Sequence, residues 1–104
     1  MNSVQALTNG TGQTVNVTDA ITTMDSSSGN ITGTLGSGST GQIKVLVNIS
    51  GSNSSVITLT TTLGSLSTIT FDAAGETATC MWTGSAWTVL ATSTSAANIA
   101  TILQ

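Results

Sequence analysis

The stretch QIKVLVNI, residues 42–49, places Ile43, Val45, Val47 and Ile49 on one side and Gln42, Lys44, Leu46 and Asn48 on the other. Side chains of a strand alternate between two faces, so a clean two-residue period over this length reads as β-structure. The flanks carry the same signal. Val15 and Val17 mark a short strand at 13–17, and another runs over 20–24 into the turn Asp25-Ser-Ser-Ser-Gly29. Ile31, Gly33 and Leu35 alternate with threonines until GSGSTG (36–41), which reads as a flexible loop. After the turn at 51–54, Ile57 and Leu59 share a face of 56–61, and Ile69 and Phe71 lie on a strand ending at Asp72-Ala-Ala-Gly75. Strands at 76–82 and 87–92 follow. Turn signals recur about every eight to twelve residues, the spacing of a sandwich or small barrel.

Composition agrees. The chain has 104 residues, 38% hydrophobic and 5% charged, and Ser and Thr make up over a third of it. That length supports one domain. Threonine is β-branched and favours strands, while Ser, Gly and Asn favour turns. The expectation is an all-β fold, a small antiparallel β-sandwich or barrel occupying 1–104, with 1–12 as an N-terminal arm. At 95–104 the spacing of Ile99, Ile102 and Leu103 fits a short C-terminal helix, with Thr94 or Ser95 as its cap; a tail or last strand is the alternative.

Two stretches, ITGTLGSGST (31–40) and LTTTLGSLST (59–68), agree at seven of ten positions. Five of those agreements are Ser or Thr, so low complexity explains most of the likeness, and a duplicated hairpin is the alternative, resting on Leu35/Leu63 and Gly36/Gly64.

Little chemistry is available. Histidine is absent, and Cys80 is the only cysteine, so no intrachain disulfide forms. Cys80 reads as a small core hydrophobe. Asp72 and Glu76 are the best-placed carboxylate pair for a hard cation, but they read first as a solvated turn in which Asp caps backbone amides. Asp19 and Asp25 bracket a strand and serve its turns. Lys44 reads as a solvated charge at a sheet edge or interface, where lysine discourages unwanted pairing, and no motif makes it a catalytic base. We expect no enzyme activity, no cofactor and no metal.

One basic side chain cannot neutralise a phosphate backbone, so nucleic acid is not an expected partner. No apolar run reaches membrane-spanning length, and MNSVQALTNG lacks the basic start and apolar segment of a secretory signal. The low charge keeps the desolvation cost of surface contact small, which favours self-association or docking.

Both tryptophans lie in CMWTGSAWTVL, residues 80–90. If Trp82 and Trp87 face each other across a four-residue loop, Met81 lies opposite Thr88, Cys80 opposite Val89 and Ala78 opposite Ala91. The paired tryptophans then either fill the core or anchor a partner. Candidate partner-binding residues are Val4, Leu7, Trp82, Trp87, Ile102 and Leu103.

The block STITFDAAGETATCMWTGSAWTVLATSTSA, 67–96, resembles a module of small β-rich virion structural proteins of tailed bacteriophages, especially cyanophages and other aquatic phages. Ile69, Thr70, Phe71, Asp72, Gly75, Glu76, Trp82, Gly84 and Trp87 carry the likeness, and GQIKVLVN (41–48) resembles the module's preceding strand. About half the chain is covered. The resemblance implies a structural protein, commonly trimeric, without catalytic residues, of a kind used in fibres, spikes and head ornaments alike. The expectation is a capsid decoration (cement) protein on the virion surface, a homotrimer bound to the major capsid protein. The alternatives are a fibre or spike module binding a host surface or glycan and, from another class, an ice-binding protein. Threonine-rich strands such as ITLTTT (57–62) suggest the last, although their spacing along the chain is irregular.

Overall fold

The computed structural model describes residues 4–8, 10–63, 66–93 and 99–101. The strands are β1 (Val4–Leu7), β2 (Gly10–Val15), β3 (Ile21–Met24), β4 (Ile31–Leu35), β5 (Ile43–Asn48), β6 (Ser55–Leu59), β7 (Leu66–Phe71), β8 (Thr77–Trp82), β9 (Trp87–Thr92) and β10 (Ile99–Thr101). They form two mixed five-stranded sheets, ordered β1-β3-β5-β8-β9 (sheet A) and β10-β7-β6-β4-β2 (sheet B), that face each other across one core.

The expected antiparallel topology holds only for the second half. From β1 to β6 the chain steps from one sheet to the other with every strand, so β1, β3 and β5 pair in parallel, as do β2, β4 and β6. A parallel pair needs a crossover, and here the strand in the opposite sheet supplies it. The second and third coils are in step, since Ile21 pairs with Val45 and Ile31 with Ser55. Antiparallel pairing begins with β6–β7 and continues in β5–β8, β8–β9 and β7–β10.

This register also corrects the apparent duplication. Leu35 pairs with Leu59, not with Leu63, and Ile31 pairs with Ser55, not with Leu59. The polar corners between strands carry the real stacking. The Ser26 hydroxyl donates to the Asn53 carbonyl (2.9 Å), the Asn53 amide returns a bond to the Ser26 carbonyl (2.7 Å), and Ser54 N–H donates to Asn30 Oδ1 (3.0 Å). Buried Ser26 is therefore satisfied by the next coil.

Inside, Val15, Leu35 and Leu59 share one register row, and Ile57, Ile69, Phe71, Ile31, Leu46 and Met24 fill the space between the sheets. At one end, Trp82 and Trp87 pack edge to face, with ring centroids 5.4 Å apart. The Trp87 indole N–H donates to the Gly36 carbonyl (2.7 Å). Backbone bonds from Trp87 N–H to Thr61 O and from Leu63 N–H to Trp87 O tie the end of sheet B's β6 to the edge of sheet A.

The stretch 36–41 is thus not a free loop but the cover of the tryptophan pair. Gly41 N–H donates to Trp82 O and Trp82 N–H to Gln42 O. A Cβ on Gly38 would lie 3.1 Å from atoms of both tryptophans and 2.7 Å from Gln42 Oε1. Gly38→Ala is therefore expected to destabilise the fold by about 1–3 kcal/mol through overpacking, read as a lower denaturant midpoint at unchanged slope.

The hairpin register matches expectation at Trp82–Trp87, Met81–Thr88 and Cys80–Val89. A bulge then shifts it, so that Thr79 faces Ala91 and Ala78 faces Thr92. The turn is closed by Thr83 N–H to Ala86 O (2.8 Å), with Gly84 at φ +113°, a conformation that suits glycine.

At the termini, Val4–Leu7 of the expected arm is the edge strand of sheet A, and Ile99–Thr101 is a strand on β7 where a helix was expected. The remainder of the expected helix, Ile102 and Leu103 included, lies outside the described residues.

Candidate docking surface

The described residues enclose no ligand-sized pocket and hold no group of three acidic, Cys or His side chains spaced for a metal ion. Surface is what remains to be read.

The two faces of β5 are reversed from the expectation for Lys44. Lys44, Leu46 and Asn48 point inward and are fully buried, while Ile43 and Ile49 are 42% and 52% exposed and Val45 and Val47 are half-buried. β5 lies in the middle of sheet A, so Lys44 is at no edge. Its stem packs between the sheets, and its ammonium donates to the Asp19 carbonyl (2.8 Å) and to Asn16 Oδ1 (3.4 Å). Desolvation lowers the Lys44 pKa from the ordinary lysine value, with the Asp19 charge acting the other way.

What faces out is a largely apolar sheet. One register row runs across all five strands as Val4, Ile21, Val45, Thr79 and Ala91. The row on one side is Ile43, Met81 and Thr88, and the row on the other is Ala6, Thr23, Val47 and Thr77. No charged side chain stands in these three rows. Among the candidate partner residues that the structure describes, Val4, 51% exposed, is the one that lies on this surface. Contiguous exposed apolar area of this kind marks interaction sites more often than isolated exposed residues do.

Leu7, Trp82 and Trp87 are core residues instead, between 0% and 6% exposed. Leu7 pairs with Met24 inside sheet A, and the tryptophans close the end of the sandwich, so none of the three presents a surface to a partner. Sequence reading missed Ile21, Ile43, Val45, Val47 and Met81 because periodicity separates two faces without saying which is inside.

The outer face of sheet B is hydroxylated. The register gathers Thr14, Thr34, Thr58 and Thr68 into one rank, with Thr32, Val56 and Thr70 in the rank beside it. Threonines irregularly spaced along the chain thus become regular in space, about 4.8 Å apart across strands.

The carboxylates serve turns, with one change of actor. Glu76, rather than Asp72, caps the 72–75 turn, its Oε1 accepting from Asp72 N–H (2.7 Å) and Ala73 N–H (3.0 Å). Asp25 Oδ1 accepts from Ser27 N–H (3.0 Å).

Cys80 is buried, and burial pushes its thiol pKa up to about 11 from 9.0. The folded state then holds a proton that the unfolded state releases between these values, so this contribution is present below pH 9 and lost as pH rises toward 11. A thiol reagent at pH 8 is expected to label Cys80 only at the rate of global unfolding. Rapid stoichiometric labelling of native protein contradicts that burial.

No family model, no curated protein and no solved structure matches this chain. The surface therefore has to speak through its chemistry.

Proposed function

We propose that the chain is a structural virion protein, a capsid decoration protein that docks on the major capsid protein and stabilises the shell. The observation that carries this reading is the reversal in sheet A. Its outer face presents Ile43, Val45, Val47 and Ile49, while its inner face accepts Lys44 and Asn48. A chain that leaves its more aliphatic strand face outside gains from covering it, and the absence of charge in those rows keeps the cost of covering it low. The resemblance of 67–96 to phage virion modules supplies the class of partner. The mechanism is passive: apolar and hydrogen-bonded surface bridges neighbouring capsid subunits and resists their separation.

The test is sedimentation of the purified protein with expanded empty capsids of its own phage, alongside its molar mass in solution. Saturable co-sedimentation is expected. Protein that stays monomeric and remains in the supernatant overturns the proposal.

A second reading rests on the ranks of sheet B. Four threonines in one rank, beside a second rank containing Thr32 and Thr70, form an uncharged lattice suited to an ordered array of water, as in ice binding. Thermal hysteresis, abolished by Thr34→Lys and Thr58→Lys, favours this reading over the first, and its absence from the unaltered protein removes it.

A further inference from the structure

The only basic side chain of the protein is buried against an asparagine amide oxygen and the backbone carbonyl of an aspartate, whose negative charge also acts on it. Lys44 Nζ lies 3.4 Å from Asn16 Oδ1, one bond from the amide carbon, and 2.8 Å from the Asp19 carbonyl. The other end of the same amide is held as well, since Asn16 Nδ2 donates to Asp19 Oδ2 (2.8 Å). Asp19 N–H donates to Asn16 Oδ1 (3.1 Å). One residue thereby contacts the nucleophile, the carbonyl oxygen and the leaving nitrogen.

The loop that carries Asn16 and Asp19 is also fixed from outside. Gln5 Oε1 accepts from Asn16 N–H (3.0 Å), Gln5 Nε2 donates to Thr14 O (2.8 Å), and Gln42 Nε2 donates to Val17 O. Such fixation matters because reacting groups held in contact gain most of the advantage of an intramolecular reaction.

We propose that the folded chain joins Lys44 to Asn16 through an isopeptide bond that it forms itself. The step balances without any oxidant or co-reactant. The Lys44 ammonium gives one proton to the Asp19 carboxylate and becomes a free amine. Its lone pair forms the bond to Asn16 Cγ, and the carbonyl electrons move onto Oδ1, where the Asp19 N–H stabilises the developing charge. The Cγ–Nδ2 bond breaks as the Asp19 carboxyl returns its proton to Nδ2. The attacking nitrogen sheds its second proton, and the leaving group departs as ammonium. One amide bond replaces another, and the charge of the buried lysine leaves with the ammonium ion.

The surroundings favour each stage. Desolvation lowers the Lys44 pKa, which makes the amine easier to reach. The product relieves the cost of a buried cation. The bond would link the β2–β3 connection to the central strand of sheet A, a covalent clasp across the sandwich.

Intact-mass spectrometry of the full chain tests this. The unaltered protein is expected to weigh less than its sequence by one ammonia, about 17 Da, and its digest to contain a cross-linked species carrying residues 16 and 44. Lys44→Met and Asn16→Ala are each expected at full sequence mass, and Asp19→Ala at full mass or converting far more slowly. The full sequence mass in the unaltered protein, both fresh and after prolonged incubation, overturns the proposal. So does an ammonia loss that persists in Lys44→Met, since ring closure at an asparagine then accounts for it.

Discussion

Trp87→Ala is expected to lower the unfolding free energy by about 3–5 kcal/mol, a large share of the 5–15 kcal/mol typical of a domain. Trp87 is fully buried, and three separate terms depend on it. Its ring fills the end of the core against Trp82, an aromatic contact that contributes about 0.5–1.5 kcal/mol beyond area burial. Its indole N–H satisfies the Gly36 carbonyl. Its backbone is bonded to Thr61 and Leu63, so the cavity opens where the two sheets are tied together. Trp87→Phe separates these terms: it keeps most of the apolar bulk, loses the indole donor, and is expected to cost about 1–3 kcal/mol. Denaturant unfolding followed by Trp82 fluorescence measures both. A loss below about 1 kcal/mol for the alanine variant would mean that the tryptophan is not core.

The second large effect comes as a contrast between neighbours on β5. Leu46→Ala is expected to cost about 2–5 kcal/mol, and Val45→Ala less than about 1.5 kcal/mol. Leu46 is fully buried between Thr22 and Ala78, whereas Val45, between Ile21 and Thr79, is half-buried on the outside of the sheet. The assigned faces of sheet A stand or fall on this order. If Val45→Ala is the more damaging variant, the strand is inverted and the proposed docking face is lost.

That inversion shows where the amino-acid pattern stops informing. Strands β4 and β9 coincide with their expected ranges, and β3, β5, β6 and β8 shift only at their ends, because alternation and turn residues are local signals. The hairpin register from Trp82–Trp87 to Cys80–Val89 was equally legible, since a short loop fixes which residues meet. The bulge after Cys80 was not, because nothing in Thr79 or Leu90 marks it.

Parallel pairing of β1, β3 and β5 was hidden for another reason. Those partners lie far apart in the chain, and a Thr-rich strand with one covered face reads the same in either orientation. The orientation of β5 depended on Lys44, whose inward course is made tolerable by Asn16 and by the carbonyl of Asp19. A lysine usually signals solvent; here two oxygens from a distant loop, one an amide side chain's and one a backbone carbonyl's, reverse the signal. The tryptophans misled in the same way. Aromatic residues mark cores and interfaces alike, and only their contacts with Gly36, Gly38 and Thr61 assign these two to the core.

The outer face of sheet A is the surface proposed to hold the partner. The most direct measurement compares capsid binding by Val45→Lys, on that face, with Thr34→Lys, on the outer face of sheet B, after both are shown to unfold cooperatively. A charge at the centre of a covered apolar row is expected to cost at least about 2 kcal/mol, roughly a thirtyfold loss of affinity, while Thr34→Lys binds as the unaltered protein does. Equal binding by Val45→Lys, or a loss confined to Thr34→Lys, would rule out the outer face of sheet A as the docking surface.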